Sequence, residues 1–127
     1  MDKILCVGMG GFLGASLRYL VSIGALKLFK SDFTIGTLMV NVVGAILIGF
    51  IMQLSLGVSF ITPNLKLFLT TGILGGLTTF STFSFETISL FQSGRYAAFI
   101  SNIVLNVGLS LLGVVIGIYM ARYCVKI

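Results

Sequence analysis

Apolar residues fill this 127-residue chain in four long runs separated by short polar connectors. The runs cover about Ile4–Ile23, Ile35–Leu56, Leu67–Phe91 and Ala97–Tyr119. At a rise of about 1.5 Å per residue, each is long enough as a helix to cross roughly 30 Å of hydrocarbon. The connectors hold the breaker and charge signals: Lys27 to Asp32, then Gly57 to Lys66 around the sole proline, Pro63, then Gln92 to Arg95. The third run carries a dense polar stretch from Thr70 to Glu86, rich in paired glycines and hydroxyls. An unpaired amide in hydrocarbon costs several kcal/mol, so a helix that breaks at such depth is tolerated only when buried in protein or lining a wet pathway. The pattern predicts an all-α integral membrane protein, one domain over residues 1–127, with four transmembrane helices and the third broken mid-membrane. It points to an ion path.

Composition agrees, because 57% hydrophobic and 9% charged residues leave too little polar surface for a soluble globule. Met1-Asp2-Lys3 before an apolar run imitates a secretory signal. The run exceeds the usual h-region and carries Arg18 near its far end, so it reads as a retained first helix. Gly8-Met9-Gly10-Gly11-Phe12-Leu13-Gly14 with Asp32 downstream imitates a loosened dinucleotide-binding fingerprint, but no later segment supplies the parallel sheet that such a motif needs. Gly10/Gly14, Gly72/Gly76 and Gly113/Gly117 instead read as small-residue faces for close helix packing.

Four spans put both termini and the 57–66 connector on one side of the membrane. That side holds Lys3, Lys66, Arg122 and Lys126, and the other holds Arg18, Lys27, Lys30 and Arg95. Orientation follows the Lys/Arg excess of short loops, and four against four is no strong instruction, so the expectation is insertion both ways, the alternative being one orientation fixed by folding or by the depth of Arg18. Four short helices are too few to enclose a pore while covering their own polar groups. The expectation is therefore a homodimer, antiparallel if both orientations coexist, with a twofold axis in the membrane plane and the Gly75–Thr79 break as the natural site on it.

Several side chains carry candidate chemistry. Phe80 and Phe83 stand i, i+3 on the helix resuming after the break; they are either ordinary packing or a pair whose positive ring edges partly replace water around a small anion. Asn41, one turn after Thr37, needs partners in lipid, as an interhelical hydrogen bond or as an NH2 donor aimed at an anion. Asn102, Asn106 and Ser110 fall at i, i+4, i+8, a polar file about 12 Å long that is either helix glue or a row of donors for a stepping anion. Ser81 and Thr82, beside the phenylalanines, are the favoured additional hydroxyl donors. Unwinding over Gly75–Thr78 would free carbonyl oxygens, which suit a hard cation, or serve only as a hinge. Arg18 either snorkels to the interface or collects anions at a pore mouth, and the vestibule is favoured. Glu86 can bond hydroxyls, pair with a cation, or couple a proton.

The segments Gly11 to Tyr19, Gly36 to Gly44 and Thr71 to Ser84 closely resemble the Fluc (CrcB) fluoride channels of microorganisms, over essentially the whole chain. The resemblance implies an antiparallel dual-topology homodimer with two fluoride pores and a central structural sodium ion. It matches Phe80 and Phe83 to the family's phenylalanine box, Asn41 to a pore asparagine, and Asn102, Asn106 and Ser110 to its polar track. It assigns the sodium to backbone carbonyls at Gly75 and Thr78. The implied activity is passive export of cytoplasmic fluoride across a bacterial or archaeal plasma membrane, without ATP.

A small proton-coupled multidrug-type exporter is the alternative, since such transporters are also four-helix dual-topology dimers. They depend on a glutamate in the first helix, and here that helix has none; Glu86 would have to serve. A scaffold subunit without transport leaves the polar groups unexplained. Histidine is absent and no nucleophile–base arrangement appears, which argues against an enzyme. Cys6 and Cys124 read as free thiols. The basic residues divide between two faces and form no nucleic-acid patch.

Overall fold

The computed structural model describes residues 2–30 and 34–126. Met1, Ser31 and Asp32, on which the leader, connector and fingerprint readings drew, lie outside the described residues. Six α-helical segments and one π-helical stretch follow in chain order: α1 (Asp2–Phe29), α2 (Ile35–Leu54), α3 (Pro63–Leu67), the π-helical turn Phe68–Leu74, α4 (Gly75–Leu77), α5 (Phe80–Gln92) and α6 (Tyr96–Val125). Four units are long and apolar enough to cross a membrane: Asp2–Phe29, Ile35–Leu54, Pro63–Gln92 and Tyr96–Val125. All backbone polar groups in such a helix are satisfied within the segment, which is why lipid favours this element.

The first and last helices run past the expected ends, to Phe29 and Val125. At 28 and 30 residues they reach about 42–45 Å, so their ends project beyond the hydrocarbon into the polar interface. The third unit also starts earlier than expected. Thr62 caps it by accepting from the Leu65 amide at 3.2 Å, and Pro63 takes the first-turn position where its missing N–H costs nothing. Residues 63–66, expected in a connector, are therefore helical. Between α5 and α6 the chain turns through Gly94 at φ +74°, with Gly94 N–H on the Phe91 carbonyl and Arg95 N–H on the Leu90 carbonyl, both at 3.0 Å. This double bond with glycine in the left-handed conformation ends the helix and reverses the chain.

The glycine faces decide which helices meet. A Cβ at Gly10 would lie 2.5 Å from the Phe68 carbonyl oxygen, and one at Gly76 would lie 2.6 Å from that of Gly11. Helix α1 thus lies backbone to backbone against the π-helical turn and α4. Gly117 meets the Ile46 carbonyl and Gly49 meets that of Val114, so α2 and α6 pair the same way. Residues 4–14, the imitation fingerprint, lie wholly within α1. A small core of Val40, Leu74 and Leu77, with Val21, Ile48 and Ile51 around it, fills the space between these pairs. Most other large apolar side chains face outward, the arrangement expected where the surroundings are lipid or a second subunit.

Candidate functional site around the interrupted third helix

The helix stops at Thr78 and Thr79, which are extended (φ −83°, ψ 156° and φ −152°, ψ 122°). Unwinding was expected from Gly75, but Gly75–Leu77 stay helical and the gap is only two residues wide. Thr78 explains the difference: its amide at 3.0 Å and its hydroxyl at 2.9 Å both donate to the Leu74 carbonyl and hold the preceding turn closed.

Side chains from two other helices satisfy the backbone at the gap. Asn41 of α2 bonds both polar groups of Thr79, accepting from its N–H at 2.8 Å and donating to its carbonyl at 3.2 Å. Arg18 of α1 donates through Nε to the Gly76 carbonyl at 3.0 Å. In an unbroken helix the Thr79 amide would have bonded the Gly75 carbonyl; turning it toward Asn41 removes that donor. Thr79 then caps α5, its hydroxyl oxygen accepting from the Thr82 amide at 3.0 Å while its hydroxyl donates to Thr82 Oγ1 at 3.0 Å. Ser81 Oγ lies 3.2 Å from the Thr79 hydroxyl oxygen as well.

A groove of about 420 Å³ opens beside the gap. Asn41, Phe80, Phe83, Asn106 and Ser110 line it, and so do Gly75 and Thr78. The two phenylalanine rings are 5.5 Å apart and tilted by 50°, yet Phe83 is 8% exposed and Phe80 77%. One ring is thus built into the bundle and the other stands at its surface. The Ser110 hydroxyl makes no hydrogen bond among the described residues. Both amide hydrogens of Asn41 are committed, to the Thr79 carbonyl and to Asn106 Oδ1 at 3.0 Å, so an anion reaching this amide competes with those oxygens.

Four expected site residues are placed elsewhere. Ser81 and Thr82 lean on Thr79 and do not line the groove. Arg18, expected at a pore mouth, lies half-buried against Gly76, because the interrupted helix offers it a carbonyl there. Asn102, expected in an open file with Asn106 and Ser110, is fully buried. Its Nδ2 donates to Thr87 Oγ1 at 2.8 Å, and its Oδ1 accepts from Asn106 at 3.0 Å and from Thr34 at 3.2 Å. Glu86 accepts from the Thr37 hydroxyl at 2.9 Å, and with Thr34, Ser89 and Arg95 it borders a second cavity of about 520 Å³.

Thr34 and Thr87 were not anticipated. Thr79, Phe83 and Thr87 repeat every fourth residue, a stripe visible in the sequence, but which helix meets that stripe is set by packing alone. Cys6 and Cys124 are free thiols.

The chain matches the family described as CrcB-like protein, Camphor Resistance (CrcB), over residues 5–118. Among curated relatives, a Clostridium perfringens protein named fluoride-specific ion channel FluC is 62% identical over 125 residues, covering 96% of this chain and 98% of the relative. A Clostridium novyi protein of the same name is 55% identical over 92% of this chain and 94% of its own length. One from Shewanella piezotolerans, also so named, is 46% identical over 97% and 100%.

Proposed function

The chain belongs to the CrcB-like family and is a multi-pass plasma-membrane fluoride channel, and we propose that fluoride passes the groove beside Thr78 and Thr79 in an antiparallel homodimer. The observation that carries the proposal is the convergence of Asn41, Phe80, Phe83, Asn106 and Ser110 on one groove beside a helix interruption. Together these residues offer a small anion the Ser110 hydroxyl, aromatic edges and, in exchange for their protein partners, the Asn41 and Asn106 amides, and offer little to a large one. Fluoride accepts stronger hydrogen bonds than chloride, so a narrow path that replaces water with a few donors and ring edges favours it. Transport is passive. Hydrogen fluoride enters as a neutral acid, dissociates near neutral pH, and the stranded anion leaves down its electrochemical gradient.

The homodimer, with two pores and the helix break near mid-membrane, is supported by the near-even split of Lys and Arg between the two sides, four against three once Arg18 is placed at the interruption, and by Phe80 standing exposed at the rim of an open groove. A central sodium ion fits the residues present. Gly75 and Thr78 both border the groove, the Gly75 carbonyl has lost its helical donor, and hard cations take oxygen ligands. Two copies would supply four carbonyls, and the ion would add structural stability where the two interrupted helices meet. A proton-coupled multidrug-type exporter gains no support, since its carboxylate would be Glu86, already bonded to Thr37 on a different helix from the one such transporters use.

Liposomes loaded with fluoride and containing the purified full chain test this, with a potassium ionophore to balance charge and chloride as the control ion. Fast fluoride release without chloride release is expected. Well-folded protein that releases neither anion, or both alike, would overturn the assignment.

A further inference from the structure

A single file of hydrogen bonds ties the interruption to a point two turns along α5, and every bond in it runs the same way. The Thr79 amide donates to Asn41 Oδ1 at 2.8 Å, Asn41 Nδ2 to Asn106 Oδ1 at 3.0 Å, and Asn106 Nδ2 to Asn102 Oδ1 at 3.0 Å. Asn102 Nδ2 then donates to Thr87 Oγ1 at 2.8 Å, and the Thr87 hydroxyl to the Phe83 carbonyl at 2.6 Å. The two ends are a backbone donor and a backbone acceptor, neither of which can reverse. Turning Asn106 would set NH2 against NH2 and carbonyl against carbonyl, turning Asn41 would set its NH2 against the Thr79 amide and its carbonyl against that of Asn106, and turning Asn102 would set its NH2 against that of Asn106, so the three amides point one way together. The file crosses from the break through α2 and α6 to α5 and encloses the segment that carries Phe80 and Phe83.

We propose that Thr87 is a positioning residue for fluoride conduction, acting through Asn102 and Asn106 to steady the Asn41 amide from the side opposite Thr79 and to lock the rotation of α5 beneath the phenylalanines. Thr87 and Asn102 touch no ion: they are 5% and 0% exposed and border no part of the groove. Their chemistry is nonetheless specific. A bare packing residue at 87 would need only volume, whereas this position needs one hydroxyl that accepts from an amide and donates to a carbonyl in the same place. Serine meets that need and valine, of similar shape, does not. The inference about conduction rests on the channel reading above; the claim about the amides does not.

The experiment uses the full-length protein labelled with 15N at asparagine, of which the chain has four, Asn41, Asn64, Asn102 and Asn106. Thr87→Val is expected to shift the side-chain NH2 resonances of Asn102, Asn106 and Asn41 while Asn64, which lies in α3 outside the file, stays put. Thr87→Ser restores the wild-type positions. In liposomes, Thr87→Val lowers fluoride release by roughly two- to thirtyfold, the range expected for loss of one coupling, and Thr87→Ser recovers it. If Thr87→Val fails to fold, Thr87→Ala removes the same hydroxyl with less crowding and is read in the same way. An unmoved Asn41 resonance in a folded valine or alanine variant, or serine release no better than valine release, overturns the proposal. If wild-type protein passes no fluoride at all, the channel reading falls while the resonances still decide the relay.

Discussion

Replacing Asn41 with leucine keeps the approximate volume but removes every hydrogen bond that α2 contributes at the interruption. Three bonds are lost at once: Thr79 N–H to Oδ1, Nδ2 to the Thr79 carbonyl, and Nδ2 to Asn106 Oδ1. Interhelical hydrogen bonds in membrane bundles average about 0.6 kcal/mol and reach about 1.7, so three contribute about 2–5 kcal/mol. The upper part of that range applies if the stranded groups find no water, and Thr79, only 9% exposed, leaves them little room to do so. At about 4 °C per kcal/mol for a chain of this size, the unfolding midpoint of the purified protein should fall by about 8–20 °C. Fluoride release should fall with it, since the break, the groove and the Asn106 amide are held by the same side chain. Thermal unfolding in detergent, followed by release from liposomes, makes the measurement. A leucine variant melting within about 2 °C of wild type would refute the claim that Asn41 supports the gap, even if its transport were lost.

The hydroxyl of Ser110 lines the groove without a hydrogen-bond partner among the described residues, so Ser110→Ala should leave the unfolding midpoint within the roughly 0.5 kcal/mol range of a neutral change while slowing fluoride release. The two phenylalanines should separate: Phe80→Ile, at an exposed site, slows release with little change in monomer stability, whereas Phe83→Ile also costs about 1 kcal/mol by thermal unfolding, because that ring is buried. Gly117→Ala pushes a methyl into the Ile46 carbonyl and to within 2.7 Å of the Phe50 amide, and about 1–3 kcal/mol of destabilisation should appear as a lower midpoint without any change in groove chemistry. Exchanging sodium for a bulky organic cation should lower the midpoint of wild type, by about 2.7 kcal/mol if the ion was present at a hundred times its dissociation constant, and an unchanged midpoint would refute the proposed sodium site.

Periodicity and composition alone determined that this chain is four membrane-crossing helices, because only helices and closed barrels satisfy the backbone in lipid, continuous apolar runs of about twenty residues suit the helix, and runs of that length cannot be hidden in a soluble fold of this size. The glycine pairs likewise announced close helix contacts, and the density of glycine and hydroxyl residues announced trouble in the third helix. Which glycines met which carbonyls was not readable, since a small-residue face states that something approaches and not what. The width of the gap was also decided in three dimensions. Thr78 folds its hydroxyl back on Leu74 and keeps Gly75–Leu77 helical, a choice made by a side-chain rotamer that no spacing encodes. Arg18 and Asn102 show the same limit. Each was visible as a polar residue that must find a partner, but the partners, Gly76 58 residues away in sequence and Thr87 on a neighbouring helix, exist only once α1 is packed on α4 and α6 on α5. Sequence states which polar groups a membrane protein must satisfy; the packing of its helices chooses what satisfies them, because in lipid there is no water to take the partner's place.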